Sequence, residues 1–466
     1  MAERFSKVSV GIEVGESAQP ILSVPDSDTP FRILILGDFS GASRARAPIA
    51  QRRPIPVDCD NLDETIASLA PAVELPQRTL DFGALDDFHP DRIYQRDAVI
   101  RKLAGLREQP APAAAAPIPA PAAPPVSGRS LLESMMAAED DVPAARVIEA
   151  PDAMAEFVKR AVAPHLEPRQ DPRQLDWAAR ADAAVGEQMR AILHHPQFQA
   201  LEAAWRAVAM LIDRLQPDAD LRLYLFDATL EELVAAASPE PSEVGQDSSC
   251  QPGALEKCFG NSQAPWSLLV GNYAFSRSAA DAARLRWLGE LAASLGAPFL
   301  GEAMPPADPP DEEYQKLVRS AEARWIGLAL PRFLLRLPYG QDTSPTGEFA
   351  FEEMPQSVHE DYLWGNPAFF CACVLGLAFR AEGWEMHPAR HREIGNLPLH
   401  IYREDGASVA KPCAEILLTD TDAEFILDHG FMPLASMKDR DSVLLVRLQS
   451  IAGPPAPLFG RWTGRR

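Results

Sequence analysis

Hydrophobic positions along the chain alternate between strand-like and helix-like spacing. Residues 31–36, FRILIL, are apolar almost throughout, the pattern of a strand that is buried on both faces. After Pro196, apolar side chains recur every three or four residues, at Phe198, Leu201, Trp205, Val208, Ile212 and Leu215. Strand, helix and strand patterns follow at 266–270, 279–295 and 298–300, and such a unit favours parallel strands. The pattern therefore predicts an α/β fold with a mixed sheet.

Shorter patterns predict the remaining elements. Alternation over residues 8–14 predicts a half-buried strand. Asn61 with Glu64 three residues later predicts a capping box at the start of a helix, and Pro90 predicts the first turn of a helix that runs to about Leu106. We also predict a helix over 227–237 and strands at 54–57, around Val73 and Leu75, near Leu80 and Phe82, and at 221–226, 394–402, 416–419 and 443–448.

Proline and alanine compose one segment, residues 110–125, which reads PAPAAAAPIPAPAAPP. Proline has no amide donor and disfavours helix in the residue before it, so this segment should be an extended, semi-rigid spacer. It predicts three parts of the chain: a small N-terminal unit over residues 1–108, a Pro/Ala-rich linker over 109–127, and a larger C-terminal unit over 128–466.

Charge and cysteine content exclude several classes of protein. The net charge is −22, from 44 basic and 66 acidic residues, which opposes binding to a phosphate backbone. Six scattered cysteines form no secreted disulfide framework, and the first ten residues contain no apolar core of a signal peptide. The longest apolar run, 368–379, is shorter than the roughly 20 residues that span a bilayer. We expect a cytoplasmic protein that binds no nucleic acid and does not span a membrane.

The glycine turn after the first buried strand, GDFSG at residues 37–41, lies where phosphate-binding loops and nucleophiles occur in other proteins. It lacks the Lys and Ser or Thr of a phosphate-binding loop, and it is not a G-x-S-x-G nucleophile turn. A remote alternative is a hydrolase with Ser40 as nucleophile, His89 as base and Asp86 to orient the histidine. Serines in glycine turns commonly cap backbone groups instead, and we favour that interpretation.

Histidines and cysteines do not form a convincing metal site in the sequence. His387 and His391 lie four residues apart with Glu393 near, but the surrounding prolines and glycine favour a solvated basic turn. Cys371 and Cys373 lie inside the apolar run, where buried, unreactive thiols are the usual outcome. We expect no metal and no cofactor.

Longer stretches resemble two known protein families. Residues 5–108 resemble the small subunit of the type VI secretion contractile sheath (TssB, or VipA) in FRILILGDFSG, RRPIPVDCDNLDETIASLAP and LDDFHPDRIYQR. Residues 128–450 resemble the large sheath subunit (TssC, or VipB), most clearly in HHPQFQALEAAWRAVAMLI, WSLLVGNYAFS and YLWGNPAFFCACVLGLAF. The chain is therefore similar to a fusion of both subunits, with a large-subunit part that we expect to be shortened at its C-terminus.

The resemblance implies a mixed-sheet sheath-protein fold in which two subunit-like units intertwine, joined by the Pro/Ala-rich linker. It implies a structural protein without catalytic residues, which assembles with other sheath subunits or with copies of itself around an inner tube of the protein Hcp. An accessory or capping adaptor that binds the sheath end or the baseplate without polymerising is the alternative.

The resemblance also implies a partner-binding segment. Sheaths of this family are disassembled by a ClpV-type AAA+ unfoldase, which grasps a helix near the start of the large subunit. The corresponding residues are Leu131, Leu132, Met135 and Met136, in a short amphipathic pattern after the linker. From the residues alone, this apolar stripe either docks onto the second unit's core or is offered to a groove in a partner.

Overall fold

A computed structural model describes residues 24–41, 46–76, 78–110, 172–237, 258–259, 265–306, 308–356, 358–404, 406–438 and 440–463. Contact density divides the chain into a larger unit, formed by Met1–Asp97 with Met189–Arg466, and a smaller unit, Ala98–Gln188. The predicted boundaries at 108, 127 and 128 remain an expectation. The predicted strand at 8–14 and the short helix with Leu131, Leu132, Met135 and Met136 lie outside the described residues.

The strands of the described residues are β1 (Phe31–Gly37), β2 (Ile55–Val57), β3 (Ala72–Leu75), β4 (Arg78–Asp81), β5 (Leu221–Asp227), β6 (Leu268–Phe275), β7 (Phe299–Ala303), β8 (Ile326–Leu330), β9 (Phe333–Leu334), β10 (Trp364–Gly365), β11 (Glu393–Ile394), β12 (Ile401–Glu404), β13 (Ala407–Ala410), β14 (Met432–Ser436) and β15 (Val443–Leu445). The helices are α1 (Leu62–Leu69), α2 (Pro90–Arg96), α3 (Ala98–Leu106), α4 (Pro172–Leu193), α5 (Pro196–Leu215), α6 (Leu230–Ala237), α7 (Ala279–Leu295), α8 (Glu312–Val318), α9 (Pro367–Glu382) and α10 (Asp420–Asp428).

Nine of these strands form one mixed sheet, in the order β11-β15-β14-β8-β7-β6-β1-β5-β2. The six inner strands from β14 to β5 run parallel, whereas β2, β15 and β11 run antiparallel to their neighbours. The pairs β3–β4, β9–β10 and β12–β13 form separate two-stranded sheets. The α/β, mixed-sheet prediction is therefore confirmed.

The first strand lies inside this sheet, although its neighbours come from a distant part of the sequence. Strand β1 pairs in parallel with β5 from Phe31 to Gly37 and with β6 from Ile33 to Leu36. Every residue of β1 is buried, as the apolar run predicts. The side chain of Arg32 is accommodated because its guanidinium lies over the Trp266 ring, 3.9 Å from the centroid.

The helical predictions with the clearest periodicity are confirmed. All six apolar side chains of the α5 stripe are buried. Helix α7 connects the adjacent parallel strands β6 and β7; it begins after Ser278, whose hydroxyl accepts a hydrogen bond from the Asp281 N–H, and ends at Gly296 with φ of 63°. The long apolar run forms α9, and its positions 367–376 are buried throughout. No helix among the described residues is long and apolar enough to cross a membrane.

Two helix predictions need correction in the first hundred residues. Helix α1 begins at Leu62 as expected, but the Asn61 side chain does not cap it, because its Oδ1 accepts the Asp58 N–H at 3.0 Å. The helix predicted from Pro90 to about Leu106 is two helices, since the chain becomes extended at Asp97. Asp97 is buried and its carboxylate pairs with Arg78 at 2.5 Å, which holds the break.

Two strand predictions near the C-terminus are also corrected. The stretch 394–402 contains the ends of two strands, β11 and β12, separated by irregular backbone. No strand forms at 416–419, because Thr419 caps α10 instead: its hydroxyl accepts the Asp422 N–H, and the Asp422 carboxylate accepts the Thr419 N–H at 2.9 Å.

The smaller unit contains α3 and the first part of α4. Side chains of α4 bind carbonyl oxygens at the C-terminal end of α3: the Trp177 Nε1–H donates to Leu106 O at 2.7 Å, and the Gln174 amide donates to Arg107 O at 3.2 Å and Gln109 O at 3.0 Å. These contacts satisfy carbonyls that a helix end leaves without an intrahelical partner. The residues that directly precede and follow segment 111–171 are therefore held together.

Candidate functional site: the buried contacts around the first strand

The turn that follows β1 is held by a carboxylate at the end of β5. Asp227 Oδ1 accepts the N–H of Phe39 at 2.7 Å and of Ser40 at 3.1 Å, and Oδ2 accepts the Ser40 hydroxyl at 2.7 Å. The Ala228 N–H in turn donates to Gly37 O at 2.8 Å. Because β1 and β5 are parallel, their carboxyl ends lie side by side, which places Asp227 next to the turn.

This arrangement does not favour the catalytic interpretation of Ser40. The hydroxyl is buried, donates to Asp227, and accepts a hydrogen bond from Arg46 Nε at 2.8 Å. His89 serves a different purpose: its Nδ1 accepts the Asp91 N–H at the start of α2, and burial lowers the pKa of its imidazole. None of the hydrogen bonds described joins Ser40 to His89, so the predicted hydrolase constellation is not assembled. The interpretation that we favoured, a serine that caps backbone groups, also needs correction, because the Ser40 hydroxyl binds the side chains of Asp227 and Arg46.

Two arginines extend the Asp227 contacts into an ionic cluster. Arg46 contacts Asp38, reaches Asp227 Oδ2 at 3.0 Å and reaches Glu232 at 3.2 Å. Arg52 binds Glu232 at 2.6 Å and donates to Asp227 O at 2.8 Å. We call Asp38, Arg46, Arg52, Asp227 and Glu232 the first-strand cluster. It joins residues 38–41 and 46–52 to residues 227–232 through charged side chains that are mostly shielded from solvent.

Protonation in this cluster follows from its pairing. The hydrogen bond from Arg52 lowers the pKa of Glu232 to about 2, against the effect of burial. Burial raises the pKa of Asp38 above its ordinary value, and Arg46 partly offsets that rise. The pKa values of the two carboxylates thus shift in opposite directions, because Glu232 has two arginine partners whereas at Asp38 the effect of burial outweighs that of Arg46.

Two tryptophans hydrogen-bond to the backbone just beyond the two ends of β1. At the carboxyl end, Trp205 of α5 donates its Nε1–H to Phe39 O at 3.0 Å, and the two rings lie 5.3 Å apart. At the amino end, Trp384 donates to Thr29 O at 2.7 Å and packs its ring 5.6 Å from Phe31. Buried tryptophan N–H groups need an acceptor, and here the acceptors are backbone carbonyls of the segment that carries β1.

A second buried ionic group lies between α5 and the loop after β9. Arg336 binds Glu202 Oε1 at 2.8 Å and Glu353 Oε2 at 2.7 Å, while Arg206 also binds Glu202 at 2.7 Å. Burial alone would raise the pKa of Glu353, but Arg336 and the nearby His194, whose Nε2 lies 3.7 Å from Glu353 Oε1, bring it down to about 2. Removing one partner would leave a buried charge unpaired, so these contacts rigidify the fold.

The remaining sequence candidates have structural explanations. His387 and His391 both approach the carboxylate of Glu382, at 2.8 and 3.3 Å, beside a short helical turn at 388–390. Cys371 and Cys373 are fully buried in α9, and burial raises the pKa of the Cys373 thiol to about 12, so the prediction of unreactive thiols agrees with the structure. Within the described residues, no three His, Cys, Asp or Glu side chains are placed to hold a metal ion.

An open cleft of about 410 Å³ lies at the carboxyl ends of β1, β5 and β6. Asp38, Thr229, Asn272 and Arg284 contribute polar groups to its wall. Arg284 is already paired with Asp281 at 2.9 Å, and Asp38 belongs to the first-strand cluster. Two charged side chains of the wall, Asp38 and Arg284, are thus engaged within the protein, whereas a third, Glu231, is exposed.

Sequence reasoning missed the first-strand cluster. A signal for it exists: Asp38 and Asp227 each follow directly on a buried apolar strand. If those strands are neighbours and parallel, the two carboxylates must lie close together, and cations near them are required. Arg46 and Arg52 lie in the loop between β1 and β2, but nothing in the sequence pairs them with Glu232, some 180 residues away.

Two protein families match separate parts of the chain. Residues 176–308 and 306–452, together more than half of the chain, match the family described as VipB: EvpB/VC_A0108, tail sheath N-terminal domain. Residues 23–112 match the family described as type VI secretion system, VipA, VC_A0107 or Hcp2. The fused VipA-like and VipB-like organisation expected from the sequence is confirmed.

A curated relative matches the second part. The protein named type VI secretion system sheath protein TssC1, from Pseudomonas aeruginosa strain PAO1, is 30% identical over 305 residues, which cover 59% of this chain. The match spans 61% of the length of that relative.

Proposed function

Because the chain belongs to the VipB tail-sheath family and also carries a VipA match, we propose that it is a fused sheath protomer of a type VI secretion system. In this proposal one chain supplies both the small-subunit and the large-subunit part of a contractile sheath. Copies assemble around an inner tube, and contraction drives that tube outward.

The position of β1 is the observation that carries the proposal. Strand β1 belongs to the segment matched by VipA, and its neighbours β5 and β6 belong to the segment matched by VipB. The large-subunit part without β1 would have a gap in the middle of its sheet, with unpaired backbone groups on two buried strands. The two segments therefore support each other's fold, as expected of an obligate structural pair rather than of two transiently associating domains.

We propose further that the protein has no catalytic activity. The polar side chains around β1 are engaged with each other: Ser40 with Asp227, and Arg46 with Asp38, Asp227 and Glu232. An enzyme keeps reactive groups available to a substrate, whereas these side chains bind each other and hold residues 38–41 and 46–52 in place.

Partners of the proposed protomer follow from the family. We propose other sheath subunits or copies of this chain, an inner tube of Hcp, the baseplate, and a ClpV-type unfoldase that binds Leu131, Leu132, Met135 and Met136, all in the cytoplasm. Replacing Leu132 and Met135 with Asp should abolish capture by the unfoldase while thermal unfolding stays unchanged. Equal capture of both forms would contradict this assignment.

Electron microscopy of the purified chain, alone and with the tube protein, tests the proposed function. We expect tubes or stacked rings in which each repeat contains one chain. A protein that stays a single chain under both conditions would contradict the proposal. Co-purification with a separate sheath pair at low stoichiometry, without polymers of its own, would instead favour the accessory or capping adaptor.

A further inference from the structure

One outer edge of the nine-stranded sheet is acidic. Strand β2 forms this edge, and it is followed by the turn and first residues of α1. Between Arg53 and Arg78 the sequence has no Lys or Arg, and the residues after β2 include Asp58, Asp60, Asp63 and Glu64, the last three of them exposed. We call these four residues the acidic edge.

The opposite outer edge is basic, although the whole chain carries a charge of −22. Strand β11 is the last strand on this side and pairs only with Val443 and Leu444 of β15. The rest of β15 therefore also belongs to this edge. The residues that flank β11 and β15 include five cations, Arg390, Arg392, Lys438, Arg440 and Arg447, against three acids, Glu393, Asp439 and Asp441. We call the five cations the basic edge.

Most cations of the basic edge point to solvent. Lys438, Arg440 and Arg447 are exposed. The Arg390 side chain is 68% exposed, although it pairs with Glu382 at 3.5 Å. The Arg392 guanidinium donates a hydrogen bond to Val446 O, so this backbone carbonyl next to β15 already has a donor. The edge therefore offers positive charge rather than free backbone groups.

Neither edge is suited to adding a strand. Strand β2 has three residues and contains Pro56, which has no N–H to donate, and β11 has two residues. An association through these edges must then use side-chain charge, and the two edges of one molecule have opposite sign. A second copy of this chain fits each edge by charge complementarity.

We propose that the acidic edge of one copy binds the basic edge of the next. This inference rests on the proposed function, because it assigns the contact through which the protomers would assemble. The contact is heterologous, with different surfaces on its two sides, so it propagates into a ring or an open helix. Since it is formed by exposed charges, salt weakens it.

Charge reversal tests the pairing. In one variant Asp60, Asp63 and Glu64 are all replaced by Lys, which makes both edges positive; in the other Lys438 and Arg447 are both replaced by Glu, which makes both edges negative. We expect each variant alone to associate at least about ten-fold more weakly than the wild type in sedimentation at low ionic strength. An equimolar mixture should assemble again, because positive and negative copies can then alternate.

A matched control carries the same change in net charge as the lysine variant, away from the edges. Glu290→Lys with Glu424→Lys and Asp428→Lys reverses three exposed acids, on α7 and α10, and should assemble like the wild type. Circular dichroism and thermal unfolding verify that every variant is folded. Edge variants that assemble as well as the wild type, a control that fails equally, or a mixture that does not recover would each overturn the edge pairing while leaving the sheath function standing. A wild type that never assembles would overturn both.

Discussion

Asp227 should be the most sensitive polar residue in the contact between the two family segments. Its carboxylate accepts from the Phe39 and Ser40 N–H groups and the Ser40 hydroxyl, and it pairs with Arg46 at 3.0 Å. In Asp227→Asn the remaining oxygen can still accept the two N–H groups, but the hydroxyl and the arginine lose their acceptor. Charged hydrogen bonds contribute about 1.5–3 kcal/mol each and are not additive, so we expect a loss of about 2–4 kcal/mol in the free energy of unfolding.

Asp227→Ala removes every contact and should cost about 3–5 kcal/mol, the usual result of breaking a buried ion pair. Ser40→Ala removes a single hydrogen bond and should cost about 1 kcal/mol. Asp220→Asn is the matched control, because Asp220 is exposed at the opposite end of β5; it should change stability by less than about 0.5 kcal/mol.

The assay is urea unfolding of the full chain, followed by tryptophan fluorescence and by circular dichroism, with midpoints compared at a common slope. Since Trp205, one of eight tryptophans, contacts Phe39, part of the fluorescence change reports on the contact between the segments. If Asp227→Asn unfolds at the same urea concentration as Asp220→Asn, the first-strand cluster does not hold the segments and the reasoning is wrong.

Three further predictions concern single side chains. Trp205→Phe leaves the buried Phe39 carbonyl without its donor and should lower the free energy of unfolding by about 1–3 kcal/mol in the same urea assay. Gly376→Ala places a methyl group 2.6 Å from Leu215 Cδ2 and should lower the thermal unfolding temperature, with a cost of about 1–3 kcal/mol. Burial raises the pKa of Glu302 to about 7, so the folded state holds a proton that the unfolded state releases, and the free energy of unfolding should fall as pH rises from about 4.5 to 7. The variant Glu302→Gln should remove that pH dependence and be about 2–3 kcal/mol more stable than the wild type at pH 8. Urea titrations at several pH values check both expectations.

The elements that the sequence predicted well are those whose apolar pattern depends on their own residues. The uninterrupted run of β1 and the regular stripe of α5 are buried as the pattern requires. Two of the errors occur where a polar side chain has two possible partners: Asn61 binds Asp58 rather than capping α1, and Thr419 caps α10 where a strand was predicted. Such competition between local hydrogen bonds is not visible in hydrophobic spacing.

Long-range placement could not be predicted from the pattern at all. Nothing in the run at 31–36 indicates that its neighbours are β5 and β6, since the hydrophobic pattern of one buried strand does not distinguish among other apolar strands of similar length as pairing partners. The acidic and basic edges could not be predicted either, because only the strand order shows that β2 and β11 lie at opposite ends of the sheet. The resemblance to sheath subunits supplied the pairing of the two segments, and the sheet explains it physically.

Cutting the chain between the two segments tests the central claim most directly. A site for a specific protease is introduced into residues 111–171 of the full chain, the purified protein is cleaved, and the products are separated by size exclusion without denaturant. Because β1 is hydrogen-bonded between β5 and β6 and clamped by Trp205 and Trp384, we predict that both fragments elute together and separate only in urea. Fragments that elute apart under native conditions, each still folded, would contradict the account of one sheath protomer built from two interdependent segments.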